Sequence, residues 1–232
     1  DGHVRGVDLA IAEAPGAMCV TREGRWLGCY CPYNSYASGD VVDRGKVLVL
    51  ASDDEGATWQ HTEMLSFPEP RCGGAEAWVV ELSDGRLVGA SWKMDLDDAR
   101  EYENPFALSE DGSTWRPTGS TGVMGQSVGL APLADGRVLM TYNQRKHGEP
   151  GVWLALARPT ADTFGIEANE VVWKAETATQ AGSSGDHGEW TDFAFGEPSV
   201  TVLPDGALLV VFWVNQPDGS GVRYARLRMP AD

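Results

Sequence analysis

Positive charge is scarce in this sequence, with 18 Lys and Arg against 34 Asp and Glu and a formal net charge of −16. A surface that acidic repels phosphate backbones and anionic headgroups, so nucleic acid and membrane are poor partners. Long apolar runs are missing too. Ala207 to Val214 is among the longest and has only strand length, far short of the roughly 18 residues of a spanning helix. Cysteine is sparse. Cys19, Cys29, Cys31 and Cys72 form no CxxC and have no His at zinc spacing, so no metal and no cofactor are expected. The four read as small buried hydrophobes, with a Cys19–Cys29 cross-strand bridge as the alternative. No stretch keeps a 3.6-residue apolar period over three turns, which leaves little room for helix. No basic stretch precedes an apolar core near Asp1; no signal peptide is read in this chain, and a secreted or periplasmic location is the expectation.

What is abundant is turn punctuation, with 28 Gly and 13 Pro spread through 232 residues. Four segments repeat one pattern: an apolar run, a tight turn at Gly24, Gly85, Gly136 or Gly206, and a second apolar run. In three of them Asp precedes the Gly, a strong hairpin signal because glycine supplies the positive φ such turns demand. A third strand follows each hairpin, at Lys46 to Ala51, Pro105 to Ser109, Gly151 to Ala157 and Gly221 to Arg228. Repeats of this size describe an all-β propeller of four-stranded antiparallel blades forming one domain over residues 1–232. The blades are expected at about 15–63, 72–119, 120–175 and 192–230, with residues 1–14 as the outer strand of a preceding blade.

Two of the third strands run into a sharper motif. Ser52-Asp-Asp54-Glu-Gly56-Ala-Thr58-Trp59 fits S-x-D-x-G-x-T-W, and Ser109-Glu-Asp111-Gly112-Ser-Thr114-Trp115 is the same motif one residue shorter. The carboxylate can accept loop amides, the glycine reverses the chain, and Trp packs between blades. On these residues the chain resembles the sialidase superfamily, whose bacterial-neuraminidase repeats carry such Asp boxes. The third blade keeps at most a relic, Ala157 to Phe164. The resemblance implies a six-bladed propeller of which this chain holds four; a genuine four-bladed ring is the alternative. It also makes Asp54 and Asp111 structural, on the face opposite the usual site.

In such a propeller the site face is built from first-strand starts and second-to-third-strand loops. First-strand starts offer Arg71, Glu76, Gln126 and Glu197. The loop residues include Tyr142-Asn143-Gln-Arg145-Lys-His147, a cationic cluster in an acidic chain, and a guanidinium there can hold a carboxylate in two-point fashion. Each also reads as an ordinary solvated residue at a wet channel mouth. Among nine Trp, Trp92 and Trp190 are placed for a sugar face, whereas Trp26, Trp78, Trp153 and Trp213 lie in strands as core. Asp186, His187 and Glu189 could hold a metal, but a lone His in a Gly/Ser-rich loop reads more simply as solvated.

Sialidases use arginines on the substrate carboxylate, a Tyr nucleophile activated by Glu, and an acid/base carboxyl. The resemblance therefore implies Tyr142 as nucleophile and Glu76 or Glu197 as its activator. Arg71 and Arg145 would hold the substrate, with Gln126, Asn143, His147 and Trp92 around it. The expected function is a sialidase-like exo-glycoside hydrolase acting on a glycan terminus, an acidic sugar included, with carbohydrate as its partner. The Arg-Ile-Pro motif that opens sialidase domains is absent, which keeps open a non-catalytic glycan- or protein-binding propeller.

Overall fold

A computed structural model describes residues 18–31, 45–69, 71–95, 100–180 and 192–229. All of its regular structure there is strand, apart from a few turn residues. The first sheet runs β1 (Cys19–Val20), β2 (Trp26–Tyr30), β3 (Lys46–Ser52) and β4 (Gln60–Ser66). The second holds β5 (Cys72–Glu81), β6 (Leu87–Asp95), β8 (Pro105–Ser109) and β9 (Arg116–Ser120), with the short β7 (Glu101–Tyr102) paired to the end of β6. The third is β10 (Gln126–Pro132), β11 (Val138–Gln144), β12 (Gly151–Ala157) and β13 (Ile166–Lys174). The fourth has β14 (Phe195–Val202), β15 (Leu208–Gln216) and β16 (Gly219–Leu227), three strands among the described residues.

Every pairing among the described strands is antiparallel, and all but that of β6 with β8, which skips the short β7, join chain neighbours, as short connections dictate. The result is a β-propeller of four sheets. Its turns are those the repeat demands: Leu82 N donates to Arg86 O, and Leu133 and Leu203 repeat the bond with Arg137 and Ala207. Gly85 sits at φ 94° and Gly136 at 84°, where an L side chain is strained.

The core lies between sheets, which is why inner strands are apolar on both faces. Leu27, Val49, Met64, Val79 and Trp115 join the first sheet to the second. Val88, Phe106, Val128, Met140 and Phe164 join the second to the third, and Leu139, Val152, Phe195, Leu208 and Phe212 the third to the fourth. The innermost strands surround a cavity of about 650 Å³ whose lining includes Met18, Val20, Trp78, Leu130, Leu133 and Val200. It opens at the rim of the hairpin turns.

The Ser-x-Asp turns occupy that same rim, between β3 and β4 and between β8 and β9. Ser52 Oγ donates to Asp54 Oδ1 at 2.8 Å, Thr58 N donates to the same oxygen at 2.8 Å, and Thr58 Oγ1 donates to Oδ2 at 2.6 Å. Those bonds, the Thr58 hydroxyl first, hold the Asp54 carboxyl below its ordinary range. Asp111 repeats the arrangement with the amides of Thr114 and Ser113. Trp115 enters the core, while Trp59 stays half-exposed with its Nε1 on Gly56 O at 3.0 Å. The Ala157–Phe164 stretch has lost the carboxylate turn but kept the plug: Phe164 is buried edge-on against Phe106 at 5.2 Å.

All four cysteines are free thiols, so no Cys19–Cys29 bridge forms. Residues 1–14, where an outer strand is expected, Trp190, placed for a sugar face, and Asp186, His187 and Glu189, read as solvated rather than metal-binding, lie outside the described residues.

Candidate functional site

The rim opposite the hairpin turns is formed by the starts of β5, β10 and β14 and the ends of β6, β11 and β15. Each of the three innermost strands carries a β-bulge there, where two residues oppose one on the neighbouring strand. The bulged pairs are Glu76-Ala77, Ser127-Val128 and Glu197-Pro198. Glu76 (φ 51°), Ser127 (φ 54°) and Glu197 (φ 49°) all take the left-handed conformation, which among the described non-glycine residues is shared only by Glu55. Left-handed L-residues are strained and collect at functional positions. Here the strain repeats three times in register. The bulges place the half-buried Glu76 and the exposed Glu197 on this rim, and Ser127 Oγ donates to Glu197 Oε1 at 3.1 Å.

Behind them lies Arg145, just past the end of β11. The residue is 6% exposed. Nη1 donates to Gln126 Oε1 and Nη2 to the Phe195 carbonyl, while the rings of Phe193 and Phe195 lie 3.9 and 5.1 Å from its Cζ. Burial pulls its pKa down to about 10; Glu76 first, then Glu197 and Glu101, act in the opposite direction. It stays cationic across the neutral range.

Gln126 is a bridge. Its Nε2 donates to Glu101 Oε1 at 2.7 Å, and Glu101 is a buried carboxylate that also meets Lys146 Nζ at 3.5 Å and His147 Nε2 at 3.0 Å. The cluster is thus no open basic patch. Lys146 and His147 are drawn onto a carboxylate, and Arg145 is held inside the protein by an amide oxygen and a backbone carbonyl.

Two further expectations are corrected. Tyr142 is 3% exposed; its hydroxyl donates to Asn169 on β13 at 3.0 Å and its ring packs on Trp153. Strand alternation turns it into the core between the second and third sheets, away from the glutamates, and burial raises its pKa. Trp92 is buried with Ala75 and Met94 and offers no sugar platform. Arg71 lies on the site rim with its side chain half-exposed, and its Nη2 donates to Asp95 Oδ1 at 3.1 Å.

Asn143 lies between Thr141 and Arg145 on the face of β11 that meets the fourth sheet, where Thr141 Oγ1 donates to Pro198 O at 3.1 Å. Fully buried, its amide nitrogen and oxygen find no partner among the described residues. An unsatisfied buried amide is costly, and such groups cluster at functional sites. Ser127 and Glu101 were not singled out by the sequence reading. A signal for Ser127 exists: Glu76, Ser127 and Glu197 each stand nine residues ahead of their turn glycine.

No protein-family profile and no curated protein sequence matches the chain. Solved structures do. A Dyadobacter fermentans protein of unknown function superimposes with a TM-score of 0.68 at 23% identity, over 94% of this chain and 54% of that one. The NanB sialidase from Streptococcus pneumoniae gives 0.61 at 18%, over 91% and 30%. A sucrose-6-phosphate hydrolase from Lactobacillus gasseri gives 0.59 at 13%, over 97% and 48%. The fold is a sialidase-like propeller. The chain spans about half the length of the first and third of these relatives and less than a third of the second.

Proposed function

We infer that this chain carries the site face of a glycoside hydrolase that removes a glycan terminus, with Glu76 and Glu197 as its two carboxyl groups. The observation that supports this is their placement at the same strained bulge of two innermost strands, on either side of β10 and both within the field of Arg145. Glycoside hydrolysis needs one carboxylic acid to protonate the leaving oxygen and one carboxylate to attack the sugar or activate water. Glu197 is exposed and accepts the Ser127 hydroxyl, which suits the ionised partner. Glu76 then serves as the acid. With Tyr142 in the core, the tyrosine-nucleophile role of sialidases has no occupant among these residues, and the reading is a two-carboxylate one. That fold neighbours include glycosidases agrees with it.

The test is an aryl-glycoside panel on the wild type, Glu76→Gln and Glu197→Gln. Each variant should lose about 10²- to 10⁴-fold in kcat at an unchanged melting temperature. Wild-type rates in either variant would end the assignment. Tyr142's position also favours a second reading, glycan binding without turnover. Glycan-array binding by a wild type that is silent in the panel would establish it.

A further inference from the structure

We propose that Ser127 is a positioning residue: its hydroxyl holds Glu197 by Oε1, so that Oε2 is the oxygen presented to the sugar. The role of Oε2 rests on the two-carboxylate reading above, whereas the contact itself is tested without catalysis.

Glu197 is exposed, and an exposed glutamate turns about its side-chain bonds unless something holds it. What holds it is a buried donor on the neighbouring strand, since Ser127 is 4% exposed and its Oγ stands 3.1 Å from Oε1. A hydrogen bond to an ionised acceptor is among the stronger kinds. Both strands are pinned at that level. Gln126, the residue before the serine, spans Glu101 Oε1 and Arg145 Nη1. Pro198, the residue after the glutamate, has its carbonyl held by Thr141 Oγ1 at 3.1 Å. β10 and β14 approach so closely there that a Cβ on Gly129 would stand 2.7 Å from the Pro198 oxygen.

A bulge re-aims the side chain it carries. The three bulges put a short donor on β10 between long carboxyl groups on β5 and β14, the strands that flank it. A third glutamate at Ser127 would meet Glu197 as a like charge; the serine meets it as a donor. With Oε1 so occupied, Oε2 gives its electron pair to the anomeric carbon or to a proton of the attacking water. The leaving oxygen takes the proton of Glu76 as the glycosidic bond breaks.

Asparagine and aspartate share one shape and both tolerate the left-handed backbone. At Ser127 the first brings Glu197 a donor and the second a like charge. At pH 7 the unfolding constant of Ser127→Asp should exceed that of Ser127→Asn about fivefold or more. Most of that gap should vanish when both variants also carry Glu197→Gly. A purely structural bulge would not separate the pair. Equal stabilities, or a gap that survives Glu197→Gly, overturn the proposal. Should either variant fail to fold, Ser127→Gly and Glu197→Gly close an equivalent cycle.

In the kinetic arm, Ser127→Gly removes the donor while easing the backbone. It should lower kcat on aryl glycosides about ten- to a hundredfold at nearly unchanged KM, and Ser127→Asn should recover most of the loss. Wild-type kcat in Ser127→Gly overturns the positioning role. A wild type silent on every glycoside, with the stability gap present, would support Ser127 as the anchor of Glu197 and end the catalytic reading together with the role of Oε2.

Discussion

Ser127 and Glu197 are the same residue of the repeat on adjacent sheets, both left-handed at a bulge, and the hydroxyl of one donates to the carboxylate of the other at 3.1 Å. A backbone that bends the same way three times, without glycine, is holding side chains in place at a conformational cost. Glu197→Gly should therefore be about 1 kcal/mol more stable than Glu197→Ala, reversing the usual order of the two residues in a strand. Chemical denaturation of the pair decides it; an Ala variant as stable as the Gly variant would show that the bulge is unstrained.

Gly196→Ala places a methyl 2.8 Å from both Arg145 Nη2 and the Trp213 ring. The guanidinium must shift, at a cost of about 1–3 kcal/mol for overpacking. The expected result is a lower melting temperature; a variant that melts with the wild type would show that the guanidinium and the ring give way freely.

The Asp54 and Asp111 turns should contribute to the acid limb of stability. Both carboxyls are held below their ordinary range by hydrogen bonds, so their stabilisation is full above the unfolded value near 3.9 and is lost as pH falls through the lower folded value. Asp111→Asn should melt lower than wild type at pH 7, and the gap should narrow below about pH 3. A gap that stays constant down to pH 2 would contradict the hydrogen-bonded carboxylate.

Phe164 is 1% exposed and meets Phe106 edge to face. Phe164→Ala should cost about 3–5 kcal/mol, as a large cavity between two sheets does. Urea unfolding measures it, and a loss under 1 kcal/mol would mean that the neighbouring sheet closes over the gap.

The architecture was legible because turn chemistry is local. Gly85, Gly136 and Gly206 announce their hairpins within a few residues, and Ser52 to Trp59 contains nearly all its own hydrogen-bond partners. The site was legible only in outline. Glu76 and Glu197 stand out as charges heading apolar strands, but what surrounds them is set by contacts 19 to 70 positions apart, such as Arg145 to Gln126 and Ser127 to Glu197. Tyr142 misled for a related reason. It neighbours the cationic cluster in sequence, yet a strand sends successive side chains to opposite faces. One position decides between channel mouth and core, and composition carries no trace of that parity.

Arg145 is anchored to Gln126 of its own sheet and to Phe193 and Phe195 of the stretch that opens the next. The blades are consequently not interchangeable modules that could be added or removed at will. Cutting the chain after the third sheet would uncover a cation whose carbonyl and aromatic partners had gone, at the same seam where Leu139 and Val152 would lose Phe195 and Phe212. The fragment would fail as a folded body and as a site in one stroke. Swapping in a fourth blade from another propeller would succeed only if the donor brought a small residue opposite the guanidinium and a free backbone oxygen beside it.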